Sequence, residues 1–250
     1  MSTLFIHLIQ SLELKIKTII LAGGLGTRIS EETTEKPKPM VLIGEKPILW
    51  HIMKIYALQG FNDFVVAGGY KFELIQDWAV KLDEPWNISV VDTGLQTQTG
   101  GRIKRCMEKF PDDRFFVTYG DGVGNIDLLK LLNFHLDQKR LATVTAVRPP
   151  ARFGVLKIDS GLVTHFGEKN QTDAGWINGG FFVLENSVLD YIANDSDLFE
   201  TNALPTLASR HQLSAFRHQG YWQPMDTLRE MNILKEQCKY PIVPWLSIKH

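Results

Sequence analysis

The sequence predicts an α/β fold in which a mostly parallel sheet is covered by helices on both faces. Three observations carry that prediction. Short apolar, β-branched runs recur along the 250 residues, and stretches with helical apolar spacing separate them. The first run leads directly into a turn containing Gly23, Gly24 and Gly26. A later run ends just before Asp121, at the position where open α/β sheets bind ligands.

Thr18, Ile19, Ile20 and Leu21 form the first run, suited to a strand buried on both sides. A helix is expected over 47–60, with Pro47 as its first residue and Ile48, Ile52, Ile55 and Leu58 as its apolar stripe. Strands are expected at 63–69 (DFVVAGG) and 88–92 (ISVVD), then a helix over 102–110 and a strand at 114–120 (RFFVTYG). The second half offers LATVTAV at 141–147, short strands near 154–166, INGGFFVL at 177–184, and helices near 187–193 and 227–237. No internal repeat or low-complexity linker interrupts the pattern, so one domain is expected over 17–250, preceded by an N-terminal extension over 1–16.

Composition narrows the function without choosing it. A chain of this length can bury roughly three quarters of its unfolded surface in one core. The 27 Lys and Arg against 28 Asp and Glu give a net charge of −1, and no nucleic-acid or membrane surface is expected from that balance. Basic residues must therefore act locally. Cys106 and Cys238 lie far apart and fit no metal or redox spacing, in keeping with a reduced cytoplasmic setting. The opening MSTLFIHLIQSLELKI lacks a basic leader, is interrupted by Ser11 and Glu13, and is too short to cross a bilayer.

The chemistry-bearing segments are TIILAGGLGTR at 18–28 and KPKPM at 36–40. Glycines at 23, 24 and 26 let bare backbone N–H groups approach an anion. Arg28 adds a planar donor fork, and Lys38, held between Pro37 and Pro39, adds a positioned point charge. Together they make a polyphosphate cradle. GLGTRI supplies only two glycines of the dinucleotide fingerprint and runs into a polar stretch, and the GxxxxGK[ST] loop is absent. Asp121 in YGDG and Asp226 in PMDT offer hard oxygen ligands for a divalent ion, although an aspartate in such a position also serves as a turn former or, for Asp226 before TLRE, as a helix cap. Asn178-Gly179 suits either a hairpin turn or a continuous strand, and the flanking Ile177 and Phe181 favour the strand. His51 and His135 sit in helical apolar patterns, and Trp50, Trp78, Trp86, Trp222 and Trp245 read as core or interface residues.

These motifs resemble the sugar-1-phosphate nucleotidyltransferases, whose signature is LAGGxGTR followed by a KPKPM-type lysine segment. The similarity continues through KPILWHIMKIY at 46–56, TGGRIKR at 99–105, YGDGV at 119–123, RFGVLKID at 152–159, WINGGFFVLE at 176–185 and WQPMDTLRE at 222–230. It implies a Rossmann-like fold of the nucleotide-diphospho-sugar transferase type, with a nucleotide-binding half over about 17–125 and a sugar-binding half over about 126–240. Within the family the blocks are most like the members that join CTP and glucose 1-phosphate, which implies CDP-glucose and pyrophosphate as products, a place in surface-polysaccharide synthesis, and Mg²⁺ as cofactor. Another nucleotide or sugar 1-phosphate, or a subunit that binds nucleotide sugar without turnover, are the alternatives.

The resemblance also implies roles for residues. Leu21, Ala22, Gly23, Gly24, Leu25, Gly26, Thr27, Arg28, Lys38, Thr99, Gly101 and Gly120 would contact the nucleotide. Arg28 would clamp the β and γ phosphates, Lys38 would sit nearer the α phosphorus, and Asp121 would join them in catalysis while sharing the metal with Asp226. Glu168, Lys169, Asn178 and Gly179 would hold the sugar. A homo-oligomer is implied as well. Between Tyr70 and Ile88 the chain carries only KFELIQDWAVKLDEPWN, visibly less than the relatives it resembles, so an assembly smaller than theirs is expected.

Overall fold

The computed structural model describes residues 16–149, 154–159, 162–168 and 175–248. In chain order the strands are β1 (Lys17–Leu21), β2 (Leu42–Ile43), β3 (Lys46–Pro47), β4 (Asp63–Gly68), β5 (Asn87–Asp92), β6 (Arg114–Tyr119), β7 (Gly122–Gly124), β8 (Ala142–Val147), β9 (Gly154–Asp159), β10 (Leu162–Glu168), β11 (Ile177–Glu185), β12 (Leu213–Arg217) and β13 (Trp222–Pro224). The longer helices are α1 (Ile48–Ala57), α2 (Phe72–Val80), α3 (Thr99–Lys109), α4 (Leu128–Gln138), α5 (Leu204–Ser209) and α6 (Leu228–Gln237).

A seven-stranded sheet, ordered β12-β8-β11-β6-β1-β4-β5, forms the frame. Only β11 runs antiparallel to its neighbours, so the sheet is mostly parallel, as expected. The two-residue period of its strands divides the core. Ile20, Phe64, Val66, Phe116, Phe181 and Val183 face one side, where α1, α4 and α6 add Ile52, Leu131 and Leu234. Ile19, Val65, Ala67, Phe115, Val117, Phe182 and Leu184 face the other, covered by Ile103, Cys106 and Met107 of α3 and Leu207 of α5. Apolar neighbours of opposite orientation are thus all buried, which is why these strands read as continuous apolar runs.

Several elements differ from expectation. Pro47 is the N-cap of α1, at φ −65° and ψ 153°, rather than its first helical residue, because its extended ψ cannot continue a helix. Helix α3 begins at Thr99, three residues before the expected start, and the 187–193 segment is a 3₁₀ helix over Asn186–Tyr191. The short 71–87 segment holds α2, the helical pattern around His135 is α4, and β12 and the β7–β13 ribbon were not anticipated at all. Residues 1–15 of the expected extension lie outside the described part.

Asp226 does not cap α6. The cap is Thr227, whose hydroxyl accepts from Glu230 N at 3.2 Å while the Glu230 carboxylate accepts from Thr227 N at 3.0 Å and from Asp226 N at 2.8 Å. The capping box leaves the Asp226 carboxylate turned to other work. Thr227→Ala should therefore cost about 1 kcal/mol in urea unfolding, more than Asp226→Asn; the reverse order would return the cap to Asp226.

Candidate active site

The carboxyl ends of the parallel strands converge. Ala22 N donates to Ala67 O at 2.9 Å and Gly120 N to Leu21 O at 2.9 Å, so the loops after β1, β4 and β6 are stitched side by side. The glycine loop follows β1. Gly26 has φ +66°, and a Cβ there would come within 2.9 Å of the Thr33 methyl, so only glycine fits the turn. Thr33 Oγ1 in turn donates to Gly26 O at 3.0 Å.

Beneath the loop lies Arg102, from α3, buried at 5 % exposure. Its guanidinium donates to Gly68 O, Thr93 Oγ1, Gly23 O and Leu95 O at 2.9, 2.6, 3.0 and 3.4 Å. Burial lowers its pKa from the ordinary arginine value, yet that value starts so high that the charge persists. A Cβ on Gly23 would stand 2.1 Å from Arg102 Nη1, and one on Gly69 2.5 Å from the same atom. Both glycines make the arginine's chamber.

Lys38 begins a 3₁₀ turn, Lys38–Met40, with Pro37 extended before it and Pro39 buried behind it. Its ammonium donates to Asp121 Oδ2 at 2.6 Å and to Asp226 Oδ1 at 2.8 Å. Burial opposes the charge, but the two carboxylates overcome it and hold the lysine above its usual pKa, so it stays cationic throughout the neutral range. The short ribbon brings the carboxylates together. Gly122 in β7 pairs with Pro224 in β13, and Met225 N donates to Asp121 O at 2.7 Å.

Two cavities, of about 460 and 640 Å³, meet here. The first is lined by Leu21, Ala22, Gly23, Gly24, Leu25, Gly26, Thr27 and Gly120 together with Lys38, Thr99 and Arg102. Tyr119, Asp121 and Asp226 line both. The second continues over Asn178, Gly179, Gly180, Glu200 and Trp222. Gly180 has φ +76°, and a Cβ on it would stand 2.4 Å from the Tyr119 ring.

Most of the residues singled out in the sequence therefore gather at one junction. Asn178 and Gly179 lie on β11, in the strand that their flanking residues favoured. Gly101 does not line the cleft: a Cβ there would be 2.6 Å from Asp195 Cα, and the glycine serves the close packing of α3 against the 195–197 loop. Thr99 stands at the first residue of α3 rather than in a free turn. Arg28 belongs to the 3₁₀ turn Thr27–Ile29 and Glu168 is the last residue of β10, but both side chains, and Lys169 entirely, lie outside the described part. Sequence reasoning missed Arg102, Thr97, Gln96 and Glu200, and took Trp222 for a packing residue although its indole N–H donates to Gly179 O at 2.8 Å. His51 and His135 are buried and hydrogen-bonded away from both cavities.

Two cavities that share a lysine-bridged pair of carboxylates suit an enzyme that joins two phosphate-bearing substrates. The chain belongs to the nucleotidyltransferase family: residues 17–231 match the nucleotidyl transferase family model. It is 47% identical over 253 residues to the glucose-1-phosphate cytidylyltransferase of Salmonella typhi, covering 92% of this chain and 98% of that protein. It is 31% identical over 245 residues to the mannose-1-phosphate guanyltransferase of Candida albicans, covering 94% of this chain and 67% of that one. Among solved structures, HddC from Yersinia pseudotuberculosis superposes with a TM-score of 0.73 at 27% identity, covering 90% of this chain and 100% of that one.

The chamber beneath the loop yields a sharp contrast. Gly23→Ala must push the arginine out of its buried hydrogen bonds and should cost about 2 kcal/mol or more in urea unfolding, whereas Gly24→Ala, with no atom within 4 Å of the added carbon, should leave stability near wild type. Equal stability of the two variants would remove Arg102 from its supporting role.

Proposed function

We propose that the protein is a glucose-1-phosphate cytidylyltransferase, transferring the cytidylyl group of CTP to α-D-glucose 1-phosphate and releasing pyrophosphate. The observation that carries this reading is the meeting of the two cavities at Asp121 and Asp226, which Lys38 bridges; the similarity to the Salmonella enzyme supplies the substrates. CTP would occupy the cleft under the glycine loop, contacted by residues 21–28, Thr99 and Gly120 within the half over 17–125. The sugar phosphate would occupy the second cavity in the half over 126–240, with Asn178 and Gly179 lining it and Glu168 and Lys169 completing it.

An oxygen of the sugar phosphate attacks the α phosphorus of CTP. A new P–O bond forms, the α–β bridging P–O bond breaks, and its electron pair leaves with pyrophosphate. A phosphate monoester loses its second proton at a pH of about 6, so the nucleophile is already an anion and no side chain has to abstract a proton from it. The task left to the protein is to align and to neutralise. Lys38 holds its charge at the junction, where the attacking and departing oxygens are both anionic, and Arg28 clamps the β and γ phosphates.

Asp121 and Asp226 would hold Mg²⁺. Their oxygens converge on one point, now marked by the Lys38 ammonium, and hard carboxylate oxygens suit that ion. Among the described residues no group of three or more His, Cys, Asp or Glu could hold a metal unaided, so phosphate oxygens would complete the shell. When bound, the ion supplies neutralisation of the triphosphate and of the pyrophosphate that departs. Among the described residues no helix is long and apolar enough to cross a membrane. Function in the cytoplasm as a homo-oligomer belongs to the same proposal.

Pyrophosphate release measured with CTP, UTP, dTTP and GTP at saturating glucose 1-phosphate tests the substrate assignment. CTP should lead by on the order of a hundredfold in kcat/KM, because two mismatched buried hydrogen-bonding groups cost about 1–3 kcal/mol each. Equal use of UTP or dTTP would move the protein to another nucleotide specificity.

Single variants test the roles of the charges. Lys38→Ala should lower kcat on the order of a hundredfold and raise KM for the sugar phosphate, while Arg28→Ala should act mainly on CTP. Asp226→Asn should lose most turnover with little change in thermal midpoint, since Thr227 keeps the helix capped. Indistinguishable kinetics for the Lys38 and Arg28 variants would contradict the division of labour.

A further inference from the structure

Glu200 lies in the helical turn Phe199–Ala203, on the wall of the second cavity. Its carboxylate meets two hydroxyls, Thr99 Oγ1 at 2.6 Å on one oxygen and the Tyr119 hydroxyl at 2.6 Å on the other. Among the described residues no lysine or arginine pairs with it. Thr99 lines the nucleotide cleft, Tyr119 lines both cavities, and Asn178 Nδ2 reaches the Tyr119 oxygen at 3.0 Å.

Hydrogen-bond direction follows from valence alone. An ionised carboxylate only accepts, so both hydroxyls must donate to Glu200 and each hydroxyl oxygen is left as an acceptor. The Thr99 oxygen takes the Phe199 N–H at 2.9 Å, and the Tyr119 oxygen takes an N–H of Asn178. Asn178 Oδ1 is in turn occupied by the Gly180 N–H at 2.8 Å. The amide is therefore locked in one orientation, with one N–H committed to Tyr119 and the other without a hydrogen-bond partner among the described residues.

We propose that Glu200 is a positioning residue that fixes Asn178 as a hydrogen-bond donor to one hydroxyl of the sugar, and that the same carboxylate ties this choice to the start of α3 beside the nucleotide cleft. The inference rests on the reading of the second cavity as the sugar site. It assigns no contact between Glu200 and substrate; the residue acts through Tyr119 and Asn178.

The test uses CTP with glucose 1-phosphate and its 2-, 3-, 4- and 6-deoxy analogues, comparing wild type, Asn178→Ala and Glu200→Ala. Wild-type turnover of the unmodified sugar reports on the functional reading by itself. With that turnover present, the wild type should discriminate by tenfold or more against one deoxy analogue, the one lacking the hydroxyl that Asn178 addresses. Glu200→Ala should abolish the penalty at that same position, raise KM for glucose 1-phosphate about tenfold and leave kcat at saturating sugar within about twofold. Should Glu200→Ala fail to fold, Tyr119→Phe, which removes a single oxygen, carries the same expectation. A uniform loss over all analogues, an effect at a position other than the one Asn178→Ala erases, or unchanged discrimination would each overturn the proposal.

Discussion

A single ammonium between two carboxylates holds the centre of this protein together. Lys38 stands 83 residues from Asp121 and 188 from Asp226, and its side chain is only 12% exposed, so the three groups must be delivered by separate parts of the fold and cannot drift apart without stranding a buried charge. An incoming triphosphate would bring further negative charge to this pair of carboxylates. Joining two phosphorylated substrates beside these carboxylates is thus a problem of gathering positive charge, whatever the identity of the base or sugar.

Backbone proximity is the other half of the design. The cleft is built where parallel strands end, and its walls are stitched in part by peptide groups, with Leu21 O receiving Gly120 N and Ala67 O receiving Ala22 N. Such bonds hold only if the strands run side by side in register, which the large apolar core on both faces of the sheet enforces. Lys38 gains its place in the same way, from Pro37 and Pro39, which restrict the chain on either side of it.

The strands and the glycine loop were legible in the sequence because their causes are local. Ile19 and Ile20 are buried on opposite faces, so the apolar run is uninterrupted, and the positive φ of Gly26 announces itself as a glycine. Lys38, Asp121, Asp226 and Asn178 were also found, through the blocks around them. What escaped depends on distant partners. β7 and β13 are three residues each and acquire meaning only by pairing across about a hundred residues of chain. Arg102 looks like any helical arginine, since the carbonyls that receive it belong to Gly23, Gly68 and Leu95. Gly101 stood in a motif beside the nucleotide loop, yet its missing side chain makes room for Asp195. For the cap of α6 the sequence offered Asp226 as a candidate, because Asp and Thr are both good caps, and only the reciprocal bonds of Glu230 assign it to Thr227.

The chamber shared by Gly23, Gly69 and Arg102 also constrains the order in which this sequence can change. A methyl group at position 23 or 69 and a guanidinium at 102 claim the same volume, so neither glycine can be replaced while the arginine remains. A lineage that lost the arginine first would free position 23 from its nearest clashes, while position 69 would still meet the Gly23 carbonyl oxygen at 2.7 Å, and a filled position 23 would then close the return to arginine until it was undone. The three sites therefore evolve as one unit, with a ratchet built from nothing more than excluded space.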